Sequence, residues 1–357
     1  MVKIVTVVGA RPQFIKAAVV SRAIAASSNI TEIIIHTGQH FDPGMSDIFF
    51  SELKIPAPGY NLGIGGGTHG QNTGRMIEAI EAILLKESPD WVMVYGDTDS
   101  TLAGALAAIK LHIKLAHVEA GLRSFNMRMP EEINRILTDR VSDLLLCPTD
   151  TAVSNLKNEG FDNFPARICK TGDVMFDAAL FYSEFSKVPQ FVKEIEGRKF
   201  VLCTIHRAEN TDVKEKLEAI LHGLSLISKE MQVVVPVHPR TVKKMKEFGL
   251  QLSTENIHFV DPVGYLEMIW LLQNCALVLT DSGGLQKEAY FFKKPCVTLR
   301  EETEWVELVD TGFNVLAGTN ADKMNEAFLK LKSVSLLNAP NLYGDGQSAA
   351  KILEELL

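Results

Sequence analysis

The chain has 357 residues, which is too long for one hydrophobic core of ordinary size and predicts two domains. With 46% hydrophobic and 22% charged residues it has the composition of a globular protein, and its formal net charge of −8 argues against a general nucleic-acid binder. No apolar segment approaches the roughly 18 residues that span a bilayer, and no signal-peptide pattern is present, so we expect a cytoplasmic protein without membrane contact. Five widely spaced cysteines without CxxC spacing predict reduced, buried thiols.

The first half of the sequence alternates strand-like and helix-like segments. Six β-branched runs are strand candidates: KIVTVVG, EIIIHTG, WVMVYGD, KLAHVEAG, DLLLCP and ARICKTGDV. The segments between them predict helices, including one that opens at Pro12 and one from about Pro130 to Val141. Strands that are apolar throughout are typical of a parallel sheet with helices on both faces. We therefore predict a doubly wound α/β domain over residues 1–168.

The same pattern begins again after the polar stretch KVPQFVKEIEGRK. Six more strand candidates follow: KFVLCTIH, QVVVPVHP, IHFVDPV, ALVLTDSGG, PCVTLR and FNVLAGT. They predict a second doubly wound domain over residues 169–340. The segment GQSAAKILEELL (346–357) predicts an amphipathic helix, which is a candidate to pack back on the first domain.

Polar residues beside glycines follow nearly all of these strands. Ligands of open α/β sheets bind at the carboxyl ends of the strands, so these residues are the candidate site. If the two domains face each other across a cleft, the side chains gather there. The set comprises Gly9-Ala10-Arg11, Gly38-Gln39-His40, Gly96-Asp97-Thr98, Glu119-Ala120-Gly121, His206-Arg207, His238-Pro239-Arg240, Asp281-Ser282-Gly283-Gly284 and Arg300.

Two of these segments have the composition of an anion-binding site. Ser282-Gly283-Gly284 stands where a strand turns into a helix, and free amide groups at a helix N-terminus bind phosphate. Glu288 follows about one turn later, where its carboxylate could accept hydrogen bonds from two ribose hydroxyls. Near the first helix, Arg11 and Lys16 supply cations for a phosphate. For both segments the alternative is an ordinary helix start with solvated side chains.

Carboxylates are concentrated in the first domain. Asp97 and Glu119 each follow a buried strand, while Glu131 and Glu132 lie in the first turn of the helix that opens at Pro130. Acidic residues stabilise a helix N-terminus, which is part of the reason why Glu131 and Glu132 occur in this turn. It does not explain Asp97 and Glu119, which we expect to converge. Carboxylates gathered in a partly dry site raise one another's pKa, so one can hold a proton while another accepts one.

Other motifs narrow the chemistry. His206 and His238 each have an arginine within two residues, which suits proton transfer or phosphate contact, although a lone histidine is more often structural. The literal GxGxxG at 65–70 follows APGYNL rather than a strand, so it does not predict a dinucleotide site. No histidine or carboxylate cluster has metal spacing, and GxSxG is missing. We therefore expect neither NAD nor a metal cofactor.

Eight motifs taken together resemble one family. They are GARPQFIK, TGQH, GDTDSTLAGALAA, HVEAGLR, PEEINR, PVHPR, DSGGLQKEA and YGDGQ, and they extend from Gly9 to Gln347. This set is similar to the non-hydrolysing UDP-N-acetylglucosamine 2-epimerases. The resemblance implies two Rossmann-like doubly wound domains that face each other across a cleft in the GT-B-like arrangement. It also implies a UDP-sugar in that cleft and a homodimer.

The resemblance also implies roles for individual residues. The catalytic residues around the sugar would be Asp97, Glu119, Glu131 and His206. Arg11 and Lys16 would lie near the diphosphate, the Ser282-Gly283-Gly284 backbone would bind phosphate, and Glu288 would hold the ribose. The other expected contacts to the UDP-sugar are Gln39, His40, Arg128, His238 and Trp305.

One stretch departs from the usual pattern of that family. Epimerases acting on UDP-N-acetylglucosamine commonly read TERPE, whereas this sequence reads ETEWVELV and has Trp305 in place of the arginine. Together with SFNMRMPEE and DPVGYLEMIWLLQ, this stretch is more similar to the branch that epimerises UDP-2,3-diacetamido-2,3-dideoxy-glucuronate for bacterial surface polysaccharide, such as O-antigen. Arg128 is a cation that can meet the additional carboxylate of that substrate. UDP-N-acetylglucosamine is the alternative substrate.

The mechanism that the resemblance implies is elimination of UDP followed by its addition. Three other functions stay open from the sequence. They are a glycosyltransferase on the same architecture, a non-catalytic sensor of nucleotide sugars, and a hydrolysing epimerase that releases free sugar. Incubation with the nucleotide sugar in deuterium oxide separates them, because only the epimerase must place deuterium at carbon 2 while conserving the nucleotide sugar.

Overall fold

The computed structural model describes residues 1–39, 56–195, 197–250 and 256–357. These residues form two compact units: unit 1 contains residues 1–178 and 341–357, and unit 2 contains residues 179–340. The expected site residue His40 lies outside the described residues, as does the side chain of Arg11.

Each unit contains one parallel sheet. Among the described residues, the sheet of unit 1 has seven strands in the order β3-β2-β1-β4-β5-β6-β7. That of unit 2 has six, in the order β10-β9-β8-β11-β12-β13. The predicted α/β class with two doubly wound sheets is confirmed. The strands are β1 (Val2–Val8), β2 (Ile30–His36), β3 (Tyr60–Asn61), β4 (Trp91–Tyr95), β5 (Lys114–Val118), β6 (Leu144–Cys147), β7 (Arg167–Lys170), β8 (Phe200–Thr204), β9 (Gln232–Pro236), β10 (Ile257–Val260), β11 (Leu277–Thr280), β12 (Cys296–Thr298) and β13 (Asn314–Leu316).

Among the described residues, helices connect most of the successive strands in both units. They are α1 (Arg11–Ala25), α2 (His69–Glu87), α3 (Asp99–Lys110), α4 (Pro130–Val141), α5 (Asp150–Asn158), α6 (Val174–Ser183), α7 (Ala208–Thr211), α8 (Lys214–Ile227), α9 (Pro239–Glu247), α10 (Tyr265–Asn274), α11 (Gly283–Phe291), α12 (Val306–Asp310), α13 (Ala321–Leu331) and α14 (Ser348–Leu356). None of the helices in the described ranges has both the length and the apolar composition that a membrane span requires.

The strand order reverses between β1 and β4 in unit 1 and between β8 and β11 in unit 2. In open α/β sheets such a reversal opens a crevice at the carboxyl ends of the strands, where ligands bind. The segments that follow these four strands begin at Gly9, Gly96, Ile205 and Asp281. The fold therefore places Asp97, His206 and the segment from Ser282 to Gly284 at the two reversal points.

The alanine-rich helix α3 lies directly on the sheet of unit 1. Its residues Ala103, Ala105, Ala107 and Ala108 are fully buried. A Cβ at Gly104 would come 2.9 Å from Val94 Cγ1, so the small side chains permit this close approach. Because α3 follows β4 after only three residues, the same packing fixes the position of Asp97.

The structure differs from the predicted domain boundary after residue 168. Strand β7 pairs in parallel with β6, as in Leu145 with Ile168, and therefore belongs to the sheet of unit 1. The division falls ten residues later, between Ala178 and Ala179. Helix α14 belongs to unit 1 and packs against α1, and the Ala349 amide donates to Asp177 Oδ2 at 2.8 Å.

Two elements near the glycine-rich stretch were not predicted. Strand β3 is two residues long, and α2 begins at His69, directly after the helix cap Thr68. The Thr68 hydroxyl accepts a hydrogen bond from the Gln71 amide at 3.3 Å. Gly65, Gly66 and Gly67 thus lie in the connection between β3 and α2, and Gly70 lies in the first turn of α2.

Candidate active site

The end of β1 is packed too tightly for any residue but glycine. A Cβ at Gly9 would lie 2.0 Å from Thr37 Oγ1 and 2.1 Å from Ser100 Oγ. The two hydroxyls are 2.8 Å apart, and Gln39 Oε1 accepts from both the amide and the hydroxyl of Ser100, at 3.0 and 2.7 Å. Gln39, expected as a substrate contact, thus uses its carbonyl oxygen to hold the start of α3.

Lys16 and Glu119 form an ion pair at the ends of β4 and β5. The Lys16 ammonium donates to Glu119 Oε2, and the side chains are 12% and 7% exposed. A Cβ at Gly96 would lie 3.2 Å from Lys16 Nζ and 3.3 Å from Glu119 Oε2, so the pair rests on the backbone that precedes Asp97. Lys16, expected near a diphosphate, is therefore engaged by a carboxylate of the same unit.

Glu119 adopts an unusual backbone conformation. Its φ of 73° lies in the left-handed region, which costs a residue with a side chain about 1–3 kcal/mol. The conformation is held because the amides of Glu119 and Ala120 both donate to the Leu146 carbonyl, at 3.0 and 3.2 Å. Strain that the surroundings maintain in this way is typical of functional residues.

Asp97 and Glu132 share the guanidinium of Arg135. Its Nη2 donates to the Asp97 carboxylate, and its Nη1 donates to Glu132 Oε2 at 2.9 Å. Glu132 is fully buried and also accepts from the amide of Ser124 at 2.9 Å and that of Phe125 at 2.8 Å. The strand-end carboxylates Asp97 and Glu119 therefore pair with two different cations, Arg135 and Lys16, whereas the sequence suggested that the carboxylates would face one another.

The acidic pair on α4 divides between surface and interior. Glu131 is exposed, and so is Arg128 on the preceding loop, whose amide donates to Asn126 Oδ1 at 3.1 Å. Glu132 was not among the expected site residues, yet it is the member of the pair that organises the loop from Ser124 to Phe125. The only local sequence signal for this role is the i, i+3 spacing between Glu132 and Arg135.

In unit 2, Ser282, Gly283 and Gly284 form the start of α11, as predicted from their sequence. Ser282 caps the helix, and its hydroxyl accepts from the Leu285 amide at 3.4 Å. A Cβ at Gly283 would lie 2.1 Å from Glu304 Oε1, whereas one at Gly284 would meet no atom closer than Ser282 Oγ at 4.0 Å. The backbone at Gly284 is therefore open to a ligand.

His206 is oriented by Asp281, a buried carboxylate at the end of β11 to which the sequence assigned no individual role. Its Nδ1 lies 3.1 Å from Asp281 Oδ1, and its side chain is 51% exposed. Asp281 is fully buried and also accepts from the Arg207 amide at 3.0 Å and from Asn210 Nδ2 at 3.1 Å. Burial acts to raise the pKa of Asp281, but the bonds and charge of these partners, His206 first, outweigh it and hold the pKa below its ordinary value.

The remaining expected residues of unit 2 have varied surroundings. His238 is exposed and caps α9, because its Nδ1 accepts from the Arg240 amide at 3.2 Å. Glu288 is 8% exposed on α11. Trp305 is 4% exposed and lies beneath Lys287, whose ammonium is 4.1 Å from the centre of the indole.

Next to Trp305, Glu304 pairs with Arg300. Arg300 Nη1 donates to Glu304 Oε2 at 2.9 Å, while Glu304 Oε1 faces Gly283. Burial acts to raise the pKa of Glu304, but the charge of Arg300 more than offsets this and lowers it. Within the described ranges, the structure places no three His, Cys, Asp or Glu side chains where they could bind a metal ion together.

Comparison with known proteins identifies the family. The model of the UDP-N-acetylglucosamine 2-epimerase family matches residues 22–357. The UDP-2,3-diacetamido-2,3-dideoxy-D-glucuronate 2-epimerase of Pseudomonas aeruginosa is 57% identical over 99% of both chains. A UDP-N-acetylglucosamine 2-epimerase of Methanococcus maripaludis is 46% identical over 99% of this chain and 98% of its own. The crystal structure of the Methanocaldococcus jannaschii UDP-GlcNAc 2-epimerase with UDP-GlcNAc and UDP, 43% identical over 99% of both chains, superposes with a TM-score of 0.86. The chain therefore belongs to the UDP-N-acetylglucosamine 2-epimerase family of isomerases.

Proposed function

We propose that the protein is a non-hydrolysing 2-epimerase that converts UDP-2,3-diacetamido-2,3-dideoxy-D-glucuronate to its manno epimer for surface polysaccharide synthesis. The observation that carries the reaction is the pair of strand-end carboxylates, Asp97 and Glu119, each with a cationic partner. The choice of substrate is supported by the 57% identity to the Pseudomonas aeruginosa enzyme of that name. The relative that is 46% identical makes UDP-N-acetylglucosamine the alternative substrate.

The proposed reaction eliminates UDP and adds it back. Carbon 2 of an acetamido sugar is a weak acid, but departure of UDP makes carbon 1 cationic and acidifies the adjacent C–H bond. A carboxylate removes that proton, and the electron pair of the C–H bond forms the double bond of a glycal. Return of a proton to the opposite face of carbon 2 and of UDP to carbon 1 yields the epimer. Neither NAD nor a metal ion is needed in this scheme.

The residues of the two units then have distinct roles. Asp97 and Glu119 remove and return protons and stabilise the cationic sugar, with the exposed Glu131 as a third proposed catalytic carboxylate. At the start of α11, free amide groups bind the departing diphosphate, a contribution of about 3 kcal/mol per well-placed donor. Glu288 holds the ribose. His206, oriented through Nδ1 by Asp281, offers its other ring nitrogen to the leaving group.

Incubation in deuterium oxide tests this proposal. Each candidate UDP-sugar is supplied without an acceptor, and mass spectrometry and NMR follow deuterium at carbon 2. We expect deuterium in both epimers with the UDP-sugar pool conserved, and faster turnover of the diacetamido uronate. Release of free sugar and UDP would indicate a hydrolysing enzyme, and an absence of exchange would indicate a transferase or a sensor.

Two variants provide the matched test of the catalytic carboxylates. Asp97→Asn and Glu119→Gln keep the side-chain shape but cannot accept a proton, so turnover should fall at least ~100-fold, the scale of positioned acid–base catalysis. Titration with UDP checks that the nucleotide still binds. Near-normal turnover in both variants would refute the assigned roles.

We also propose that the protein acts as a cytoplasmic homodimer. This proposal is supported by the resemblance of its motifs to a family that is usually dimeric. Sedimentation velocity over a range of protein concentrations measures the assembly. A species with the 39.4 kDa mass of one chain at all concentrations would contradict it.

A further inference from the structure

Four ionisable side chains lie beneath the ends of β4 and β5, behind the proposed catalytic residues. We call His117, Arg123, Asp139 and Glu159 the buried charge cluster. The side chains of His117 and Asp139 are fully buried, that of Arg123 is 1% exposed, and only Glu159 reaches solvent, at 28%. The proposed reaction assigns none of the four a role.

The cluster is a continuous chain of hydrogen bonds. His117 Nδ1 lies 2.7 Å from Asp139 Oδ1, and Asp139 Oδ2 accepts from Arg123 Nη1 at 2.7 Å. Arg123 also makes two parallel bonds to Glu159, from Nε at 2.6 Å and from Nη2 at 2.8 Å. Hydrogen bonds therefore link all four side chains in one row.

The partners of His117 define where its protons are. Its Nε2 lies 2.7 Å from the Gly96 carbonyl oxygen, which can only accept, so Nε2 carries a hydrogen. Its Nδ1 faces Asp139 Oδ1 at 2.7 Å, so one hydrogen lies between the two side chains and joins them. Asp139 Oδ2 also accepts from Arg123 and from the Gly121 amide, the latter at 3.2 Å. Burial acts to raise the pKa of Asp139, but His117 and Arg123 outweigh it and lower the pKa. His117 and Asp139 therefore form one hydrogen-bonded pair.

The cluster is hydrogen-bonded to the backbone close to both proposed catalytic carboxylates, Asp97 and Glu119. His117 bonds to Gly96, the residue before Asp97, and Asp139 bonds to Gly121, two residues after Glu119. Both glycines have left-handed φ values, 62° and 81°, and so mark sharp turns of the chain. One rigid pair thus reaches both turns from inside the protein.

We propose that His117, through its hydrogen bonds to the Gly96 carbonyl and to Asp139, is a positioning residue for the epimerisation and sets the placement of Asp97 and Glu119. The inference rests on the proposed function, because it gives those carboxylates their task. His117 touches no substrate in this scheme. Its effect on turnover passes through the Gly96 and Gly121 turns.

The kinetic test uses His117→Gln, Asp139→Asn and the double variant, assayed with wild type for turnover and deuterium incorporation at carbon 2. We expect kcat to fall about 30-fold or more in each single variant, which is within the range for acid–base groups that are displaced from their positions. KM and the affinity for UDP should change by less than about threefold. Because both residues act through one pair, the kcat of the double variant should be at most about threefold lower than that of the slower single variant. Losses that multiply, or kcat near wild type, would overturn the proposal.

Two controls separate this role from general stability. Ile80→Ala removes a fully buried core side chain on α2, away from the cluster, and should lower the melting temperature while leaving kcat within about twofold in the folded protein. If Ile80→Ala lowers kcat as much as His117→Gln at matched loss of stability, the positioning role is refuted. If wild type itself shows no carbon 2 exchange, the proposed function fails rather than this inference.

The hydrogen bond from His117 to the Gly96 carbonyl has a readout independent of activity. In wild-type protein labelled with ¹³C and ¹⁵N, the ring signals of His117 are assigned through its own backbone resonances. We expect the Nε2 hydrogen to be protected from exchange with solvent. An Nε2 hydrogen that exchanges freely would overturn the inference even if all variants failed to fold.

Discussion

The ammonium of Lys16 and the carboxylate of Glu119 form a buried ion pair that packs against Gly96. The sequence motif alone suggested that Lys16 would meet a diphosphate. Its contact with Glu119 instead makes it the counter-charge of a proposed catalytic residue. The two roles differ in what the removal of Lys16 should do.

Lys16→Met should lower kcat by about 100-fold, because it leaves Glu119 in a poorly solvated place without its cation. UDP affinity should change less than about threefold, which a calorimetric titration measures. Lys16→Arg, which keeps the charge, is the matched control and should retain more activity. A loss of UDP affinity of about tenfold or more, ~1.4 kcal/mol, would instead show that Lys16 contacts the diphosphate.

Adjacent substitutions on α4 should separate stability from catalysis. Glu132→Gln breaks a buried pair with Arg135 and should cost about 3–5 kcal/mol of unfolding free energy, measured with urea. Glu131→Gln, at an exposed site, should change stability by less than about 0.5 kcal/mol. If Glu131 acts on the sugar, its variant loses turnover at full stability. Equal unfolding curves for the two variants would contradict the buried role of Glu132.

Stability should fall in acid through Asp281. Its folded pKa lies below the ordinary value of 3.8, so ionised Asp281 stabilises the folded state above that pH. As the pH falls from 3.8 through the folded pKa, first the unfolded and then the folded state binds the proton, and the stabilisation is lost. Asp281→Asn should be about 3 kcal/mol less stable at neutral pH and lose less on acidification. Parallel pH curves for the variant and wild type would contradict this.

The indole of Trp305 should stabilise the buried ammonium of Lys287 in the folded protein. Residue Lys287 is 2% exposed. Its ammonium lies 4.1 Å from the centre of the Trp305 indole, which is a favourable cation–π geometry. Trp305→Arg places a second cation there and should cost at least ~2 kcal/mol of unfolding free energy. Trp305→Phe keeps an aromatic face and should cost less. Equal stability of the two variants would exclude this reason for the departure from TERPE.

The sequence was sufficient to predict most strands, and to predict that the site residues lie at the carboxyl ends of those strands. Apolar runs followed by glycine and a charged residue, as at Gly96-Asp97, indicate both a buried parallel strand and a position at its carboxyl end. The two-residue strand β3 was missed because it is too short for any hydrophobic period. Strand β7 was placed across a domain boundary because its pairing with β6 is not a local property.

The partners of the site residues could not be predicted in the same way. Lys16 lies 103 residues from Glu119, and Arg135 lies 38 residues from Asp97, so no local pattern joins them. Helix α4 also reverses the usual rule of burial: Ile133 is 39% exposed, whereas Glu132 is fully buried. Hydrophobic periodicity would therefore turn this helix the wrong way, because ion pairs rather than apolar contacts fix its inner face.

Unit 1 is assembled from two stretches of chain that flank unit 2. On the ribosome, helix α1 emerges early, but its partner α14 follows only about 320 residues later, roughly 15–60 s at about 5–20 residues per second. During that interval the side of α1 that α14 later covers is open to chaperones and to aggregation. Nascent unit 1 must therefore wait for its final helix, while unit 2 can fold as soon as it leaves the exit tunnel.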